Sequence, residues 1–144
     1  TSLALEADFQ EAFNLKLKDK YQKIEQEEVK YVEYMTEDAE YLFVAFGCSA
    51  RICEATVDEL RAQGIKAGLL RPVTLFPFPK QRLAELSKQV KSMMSVELNM
   101  GQMVEDVRPA CNGACPVGFY GRLGGNIYTP NEIEEAFKKF NNLK

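Results

Sequence analysis

The sequence has 144 residues, enough for one domain with a substantial core, and its 46% hydrophobic and 27% charged residues are typical of soluble globular proteins. A formal net charge of −3 argues against nucleic-acid or anionic-membrane partners, which are typically recognised by basic patches. No apolar run approaches the roughly 20 residues of a membrane span, and the N-terminus lacks a signal-peptide pattern, so we expect a cytoplasmic protein. Because the chain begins with Thr1 and enters a helical pattern within a few residues, we expect a fragment of a longer protein.

Histidine is absent, which removes the commonest general base and the commonest metal ligand. The spacings of the four cysteines do not match the paired C-x-x-C of zinc sites or the usual iron–sulfur runs. Cys53 and Cys111 continue apolar stripes of predicted helices and are expected in the core, so we predict neither a metal site nor a catalytic residue. Cys48 stands at a helix N-terminus, a position that lowers a thiol pKa, but no histidine is present to assist it.

The chain begins with a long amphipathic helix, predicted from Leu3 to about Tyr31. Its apolar stripe has spacings of four, four, four and three and consists of Phe9, Phe13, Leu17, Tyr21 and Ile24. Charged residues fill the intervening positions, so the other face is solvated. The apolar face needs a surface to lie on, either the sheet of this domain or a partner. A self-assembling coiled coil is the alternative, but sustained heptads are missing.

A unit of strand, helix and strand follows. The apolar run Tyr41–Phe46 predicts a strand covered on both faces, and a glycine turn leads from it into a helix that Ser49 can cap. Gly64 suits the left-handed position just past the helix end, and Ile65–Leu70 predicts the second strand. We expect the two strands to be parallel and the crossover to be right-handed.

A segment with three prolines, Arg71 to Pro79, follows the second strand and cannot form a regular helix or an interior strand. It nevertheless carries the large apolar side chains of Leu75, Phe76 and Phe78. A proline-stiffened loop loses little entropy on ordering, so these side chains can either fill the core or dock another subunit.

Strands and helices continue to alternate up to the C-terminus. The pattern predicts a helix after Pro79, a strand over Met93–Leu98, a helix from Met103 to Asn112, a strand over Val117–Tyr120 and a last helix with a capping box of Thr129 and Glu132. This succession indicates an α/β fold of three layers, α/β/α, with an open, mostly parallel sheet and a long N-terminal helix. We divide the chain into a helix and linker over residues 1–36 and an α/β domain over residues 37–144.

In open parallel sheets, ligands bind outside the carboxyl ends of the strands. The junctions at those ends offer arginines, amides, glycines and helix N-termini, a set that suits a phosphate, a carboxylate or a coenzyme tail. The candidate ligand-binding or partner-interface residues are Ser49, Arg51, Arg71, Asn99, Gly101, Gln102 and Arg122. Glycines and caps also occupy such junctions for purely conformational reasons, and both interpretations stay open.

Specific nucleotide motifs are missing, since neither G-x-G-x-x-G after the first strand nor a Walker-type sequence is present. Glu97, Glu105 and Asp106 cluster near one strand end, and we interpret them as a surface feature. The residues alone indicate an α/β domain that suits anion binding and membership of a complex.

Several motifs in one order resemble the C-terminal domain of 2-oxoacid:ferredoxin oxidoreductase alpha subunits. The matching segments are Val44–Arg51, Asp58–Pro79, Val96–Met103 with its E-x-N-x-G-Q pattern, and Phe119–Gly125. The resemblance spans about Glu37 to Phe140, and the long leading helix fits the family as well. The 2-oxoisovalerate (branched-chain) type is the most similar.

The resemblance implies a transketolase C-terminal-like domain in an enzyme that oxidatively decarboxylates a 2-oxoacid with coenzyme A, thiamine diphosphate and iron–sulfur clusters, passing electrons to ferredoxin. In that family, thiamine diphosphate lies between a pyrimidine-binding domain, which would precede this stretch, and a diphosphate-binding domain, usually on another subunit. The diphosphate-binding signature is absent here, so we expect the cofactors in the whole complex and none bound by this fragment.

The resemblance therefore leads us to expect an assembly domain that is catalytically inactive alone. Its expected partners are the rest of the alpha subunit, the other subunits and, through the complex, ferredoxin. Two alternatives remain: an anion- or coenzyme-binding module that uses Arg51, Arg71, Gln102 and Arg122, and a flavodoxin-like redox module.

Overall fold

The computed structural model describes residues 5–143, and helices and strands alternate along most of this range. In chain order the elements of the described residues are α1 (Ala7–Glu27), β1 (Tyr31–Tyr34), β2 (Tyr41–Ala45), α2 (Gly47–Ala62), β3 (Ala67–Pro72), α3 (Lys80–Leu86), β4 (Ser92–Glu97), α4 (Val104–Cys111), β5 (Val117–Gly121) and α5 (Pro130–Asn141). No helix in the described range is both long and apolar enough to cross a membrane.

The described strands form a sheet in the order β1-β3-β2-β4-β5. β2 pairs in parallel with β3 and β4, and β4 pairs in parallel with β5, whereas β1 runs antiparallel to β3. Phe43 of β2 stands between Leu69 of β3 and Met94 of β4, so β2 is the central strand. The open, mostly parallel sheet is therefore confirmed, as is the unit formed by β2, α2 and the parallel strand β3.

Side chains of the central strand alternate between the two faces of the sheet, because the side-chain period of a strand is two residues. Leu42 and Val44 belong to the core on the side of α3 and α4, with buried partners that include Leu70, Leu83, Leu86, Met93 and Val107. Phe43 and Ala45 belong to the core on the side of α2 and α5, with buried partners that include Val57, Leu60, Leu69, Val96, Ile133 and Phe137. Helices cover both faces, which confirms the three-layer architecture.

The helix ends confirm two of the predicted caps and correct a third. Gly64 lies just past α2 with a φ of +80°, the left-handed conformation expected at a helix end. The hydroxyl of Thr129 accepts from the backbone N–H of Glu132, whose carboxylate accepts from the backbone N–H of Thr129, so the capping box of α5 is present. The prediction that Ser49 caps α2 is wrong, because α2 begins at Gly47 and Ser49 is buried within its first turn.

The strand β1 is absent from the sequence-based prediction, which has a helix up to about Tyr31. Instead, α1 ends at Glu27, and Tyr31–Tyr34 form an edge strand that pairs with Leu69–Pro72 of β3. Tyrosine and valine favour strands, but a run of four residues gives too short a pattern to recognise. The distant partner strand decides the conformation here.

The helix α1 contributes nothing to either core. None of its 21 residues is buried, although the predicted apolar stripe is present along the helix. Phe9 is 61% exposed, Phe13 48% and Tyr21 49%, while Leu17 and Ile24 are half-buried. The apolar stripe was expected to lie either on the sheet of this domain or on a partner. It therefore does not lie on the sheet.

Candidate functional site

The candidate residues lie where the sequence predicts, at the carboxyl ends of the parallel strands. Ser49 and Arg51 follow β2, Arg71 stands near the end of β3, and Arg122 follows β5. The segment from Asn99 to Gln102 connects β4 to α4. Because carboxyl ends of parallel strands meet at one edge of the sheet, these residues share that edge, and the contacts of each side chain decide which of them can face a ligand.

Ser49 belongs to the core rather than to a pocket. It is 4% exposed, and its hydroxyl accepts a hydrogen bond from the hydroxyl of Tyr128, which is also buried. Burial raises the pKa of Tyr128 to about 12, so this phenol stays protonated and donates the bond at neutral pH. The pair ties the first turn of α2 to the segment that leads into α5.

Glu97 organises the junction between β4 and α4. Its fully buried carboxylate accepts hydrogen bonds from the backbone N–H groups of Gln102, Met103 and Val104 at 3.1, 2.8 and 2.8 Å. The Ser95 hydroxyl donates a fourth bond at 2.9 Å. A carboxylate in this place satisfies N–H groups that a helix start leaves unpaired and complements the helix dipole.

The interpretation of Glu97 as part of an acidic surface cluster is therefore wrong. Glu105 and Asp106 are exposed, as that interpretation requires, but Glu97 ends a strand whose residues are all buried. The available sequence signal was a single acidic residue at the end of an apolar strand, a few positions before a helix start. That arrangement brings a carboxylate within reach of the first-turn N–H groups.

Asn99 also binds backbone N–H groups of the junction between β4 and α4. Its side-chain carbonyl accepts from the backbone N–H groups of Gly101 at 2.7 Å and Gln102 at 3.1 Å. Gly101 has a φ of +101°, which favours glycine. An anion at this junction would meet N–H groups that Glu97 and Asn99 already bind, whereas the side chain of Gln102 is exposed.

The three candidate arginines differ in their contacts. Arg122 donates to the carboxylate of Glu132 and so joins the loop after β5 to the first turn of α5. Arg51 is exposed and Arg71 is half-buried. Within the described residues neither Arg51 nor Arg71 forms a salt bridge.

The structure has two clefts that the candidate residues do not line. One, of about 700 Å³, separates the C-terminal half of α1 from α3 and has Gln22 and Arg82 among its lining residues. The other, of about 670 Å³, lies beside β5 and α5 and includes Phe119 and Phe140. None of the seven candidate residues lines either cleft. Sequence reasoning missed both, because they arise from how α1 and α5 stand against the sheet.

The cysteines are mainly core residues. Cys48 is exposed, whereas Cys53, Cys111 and Cys115 are buried, as predicted for Cys53 and Cys111. The Sγ atom of Cys111 lies 3.2 Å from the Sδ atom of Met93. Burial raises the pKa of Cys53, and burial together with the neighbouring Cys115 raises the pKa of Cys111 to about 12. Across residues 5–143, no three His, Cys, Asp or Glu side chains are grouped to hold a metal ion.

Comparison with known proteins finds subunits of 2-oxoacid oxidoreductases among the relatives. The family model for pyruvate:ferredoxin oxidoreductase core domain II matches residues 39–133. The ketoisovalerate oxidoreductase subunit VorB of Methanothermobacter marburgensis is 45% identical over 143 residues, which are 99% of this chain and 40% of VorB. The 2-oxoglutarate synthase subunit KorA of Methanocaldococcus jannaschii is 34% identical over 99 residues, 69% of this chain and 26% of KorA. The chain thus spans 40% or less of the length of these relatives.

Solved structures share the fold. A chain of the 2-oxoglutarate:ferredoxin oxidoreductase from Magnetococcus marinus matches with a TM-score of 0.79 at 19% identity, covering 94% of this chain and 24% of its own. A split-gene transketolase matches with a TM-score of 0.67 at 19% identity, covering 80% of this chain and 42% of its own. The transketolase-like α/β fold is therefore confirmed. Since the family model covers more than half of the sequence and VorB is similar across nearly all of it, the chain belongs to the pyruvate:ferredoxin oxidoreductase core domain II family.

Proposed function

We propose that this chain is the core domain II part of an alpha-type subunit of a 2-oxoacid:ferredoxin oxidoreductase, and that its role there is assembly. One observation carries the proposal: VorB is 45% identical over 99% of this chain, while the chain spans only 40% of VorB. In VorB the matching stretch is therefore one part of a longer polypeptide, and our proposal places other parts of the enzyme against residues that face outward here.

We infer that the substrate is 2-oxoisovalerate. Two VorB subunits, named for ketoisovalerate, are 45% and 44% identical to this chain. Subunits named for 2-oxoglutarate are 31–36% identical, and those named for pyruvate 32–33%. In the proposed reaction the 2-oxoacid loses carbon dioxide, coenzyme A takes up the remaining acyl group as a thioester, and the two electrons released pass to ferredoxin.

The cofactors belong to the rest of the complex in this proposal. In residues 5–143 the ligand-type side chains are not grouped as an iron–sulfur cluster requires. At the start of α4, Glu97 already binds the N–H groups of Gln102, Met103 and Val104, so these amides offer little to a diphosphate. Thiamine diphosphate, coenzyme A and the clusters would therefore be held by other domains and subunits, and this chain would be catalytically inactive by itself.

Three of the candidates, two exposed and one half-buried, then serve at a partner interface. Within residues 5–143 neither Arg51 nor Arg71 forms a salt bridge, and we place both of them, with the exposed side chain of Gln102, against the remainder of the subunit or its neighbours. The division into residues 1–36 and 37–144 stays part of the proposal, with the refinement that Tyr31–Tyr34 belong to the sheet. The cytoplasmic location, the absence of nucleic-acid and membrane partners and the electron transfer to ferredoxin likewise stay predictions.

The decisive experiment uses the complete polypeptide that contains this sequence, purified with its companion subunits. Reduction of ferredoxin is measured with coenzyme A and with 2-oxoisovalerate, 2-oxoglutarate or pyruvate. We expect activity, with the highest kcat/KM for 2-oxoisovalerate. Activity with none of the three acids would contradict the proposed function, and a preference for another acid would contradict the substrate alone.

A second measurement addresses the assembly role. The 144-residue chain alone, supplied with thiamine diphosphate and 2-oxoisovalerate, should release no carbon dioxide above a reaction without protein. Titration of the same chain with coenzyme A should give no saturable binding. Decarboxylation by the chain would contradict a purely assembling role, and tight coenzyme A binding would favour the coenzyme-binding alternative.

A further inference from the structure

One apolar surface of this chain lacks a partner within the described residues. We call it the α1 surface and define it as Phe9, Phe13, Leu17 and Tyr21 of α1 together with Leu75 and Phe76 of the proline-rich loop. The rings of Tyr21 and Phe76 meet edge to face with centroids 6.1 Å apart, so the helix and the loop form one continuous surface. Contiguous exposed apolar patches larger than a few hundred Å² are rare on monomers and mark interaction sites.

The orientation of α1 presents this surface outward. Toward the body of the domain the helix contributes Gln22, Glu25 and Gln26, which line the cleft opposite α3. Phe9 and Phe13 stay exposed instead of turning into that cleft. The stripe from Phe9 to Tyr21 extends for about 18 Å at 1.5 Å per residue, so it presents several turns of helix to a partner. A helix that packs on its own domain would instead turn its apolar side chains toward the domain and its polar side chains, such as those of Gln22 and Gln26, toward solvent.

The proline-rich loop is held in place, although its tip is exposed. Phe78 is 7% exposed and fills the core beside α3, while Phe76 is 60% exposed and Leu75 47%. The Thr74 hydroxyl donates to the carbonyl of Pro77 at 2.8 Å and accepts from the backbone N–H of Lys30 at 3.0 Å. Of the two alternatives considered for this loop, core filling therefore applies to Phe78, whereas Leu75 and Phe76 lie on the surface.

The charge of α1 bears on the nature of its partner. Between Ala7 and Glu27 the helix carries four lysines and five acidic residues, which gives a net charge of −1. Helices that bind anionic lipid are instead rich in lysine and arginine on the polar face. The stripe also lacks the sustained heptads that a coiled coil with a second copy requires. A protein surface from the same assembly fits better than either.

Comparison with relatives indicates which protein surface could cover the α1 surface. VorB is similar to 99% of this chain, α1 included, and the other 60% of its length lies on the same polypeptide. The match to the oxidoreductase chain of Magnetococcus marinus covers 94% of this chain, so it leaves out fewer residues than α1 contains. Most of α1 thus keeps its place in the fold within a chain about four times longer.

We propose that the α1 surface packs against the part of the same subunit polypeptide that lies outside these 144 residues. The inference rests on the proposed function, which makes this chain one domain of a longer subunit. Burial of six large apolar side chains in one place would fix the orientation of the domain relative to its neighbour. The proline-rich loop, already ordered, adds contact area with little further loss of entropy.

Photo-crosslinking in the complete complex tests this. Phe13 is replaced with p-benzoyl-phenylalanine in the full polypeptide, purified with its companion subunits, and the crosslinked peptides are identified by mass spectrometry. We expect a crosslink within one polypeptide, to a segment outside the 144 residues. Asp19, exposed and separated from Phe13 by about 120° around the helix axis, carries the probe in the control and should give at least tenfold less of that product. Crosslinks to a second copy, to another subunit or to lipid, or none at all, would overturn the proposal.

A paired variant adds a functional readout. Phe9→Ser with Phe13→Ser should lower the yield of assembled complex by roughly tenfold to a hundredfold, because two large apolar side chains no longer become buried. In the 144-residue chain alone, the same pair should leave the unfolding midpoint unchanged. An unchanged yield of complex would contradict the proposal. In the crosslinking experiment, absence of the crosslink from a complex with full oxidoreductase activity would reject this surface only, whereas the expected crosslink in a complex without activity would reject the proposed function only.

Discussion

At the scale of single residues, Glu97 is the most constrained side chain near the candidate site. It is fully buried, yet both carboxylate oxygens are bonded, to one hydroxyl and three backbone N–H groups. Hydrogen bonds to an ionised group are stronger than neutral ones, and a donor left unpaired in the interior costs its full desolvation. One residue therefore fixes the path of the chain between β4 and α4.

Replacing Glu97 with glutamine tests this role. The amide nitrogen would face N–H donors in place of an oxygen, so we expect the free energy of unfolding to fall by about 2–4 kcal/mol. Urea denaturation at neutral pH measures the change. Glu105→Gln is the control, since Glu105 is exposed and its one salt bridge among residues 5–143 is with Arg108, and it should shift stability by less than about 0.5 kcal/mol. Equal stabilities of the two variants would refute the anchoring role of Glu97.

We expect one cysteine of the folded protein to react rapidly with thiol reagents and the other three to be protected. Cys48 is exposed, whereas the other three are buried and burial raises the pKa of each of their thiols. Because the thiolate is the reactive form, Ellman's reagent should modify one thiol rapidly in the folded protein and three more only after denaturant is added. In Cys48→Ser the rapid phase should disappear. Rapid modification of a second thiol in the parent would contradict the prediction, because it would show that a buried cysteine becomes accessible in the folded protein.

At the scale of elements, the edge strand β1 is fixed to α3 by a charged pair. Arg82 donates to both carboxylate oxygens of Glu33, at 2.6 and 3.0 Å, and to Glu85 at 2.9 Å. The Arg82 hydrogen bond, together with one from Thr36, holds the pKa of Glu33 below its ordinary value of 4.5. A bidentate pair of this kind is directional, so it helps to set the position of a strand that is also held by pairing with β3 and by a hydrogen bond from the Tyr34 hydroxyl to Asp58 of α2.

The contribution of Glu33 should depend on pH. A carboxyl whose pKa is lowered by folding stabilises the protein above its unfolded pKa, and the gain disappears as the pH falls through the folded pKa. Relative to Glu33→Gln, the parent should therefore be more stable by about 1–2 kcal/mol at pH 7, allowing for partial solvent screening, and by clearly less at pH 3. Denaturation at both pH values checks this. Glu28→Gln, which loses an exposed 3.8 Å pair with Lys30, is the control and should change stability at pH 7 by less than about 0.5 kcal/mol.

Elements with strong local signals were predictable, and those fixed by distant partners were not. The apolar run before Gly47 and the glycine at position 64 delimit β2, α2 and β3 within the sequence itself. By contrast, Tyr31–Tyr34 become a strand only because β3 offers an unpaired edge to them. The same limit applies to Ser49, whose hydroxyl bonds to Tyr128, a residue 79 positions away.

At the scale of the whole molecule, the candidate site was predictable in position but not in chemistry. The strand order places all seven residues at one edge, as the rule for parallel sheets requires. Side chains such as those of Glu97 and Asn99 determine which backbone N–H groups remain available to a ligand. A pattern of apolar residues does not predict these hydrogen bonds. Both clefts depend on where α1 and α5 lie relative to the sheet, so they could not be predicted from the sequence either.

The molecule as a whole divides into a body with two complete cores and a helix that adds to neither. Removing residues 1–27 should therefore change the free energy of unfolding by less than about 1 kcal/mol, because no residue of α1 is buried and β1 is retained. The denaturant dependence of the unfolding free energy should change little, since it follows the surface exposed on unfolding. Urea denaturation followed by circular dichroism measures both quantities.

Removal of residues 130–144 is the matched control for that truncation. It deletes α5, whose Phe137 packs on Phe43 and Tyr41 and whose Ile133 is buried in the same core, so we expect this shortened chain not to fold cooperatively. If removal of residues 1–27 cost several kcal/mol instead, α1 would be an integral part of this domain. In that case its apolar face would be explained without a partner, and the difference between the two truncations would vanish.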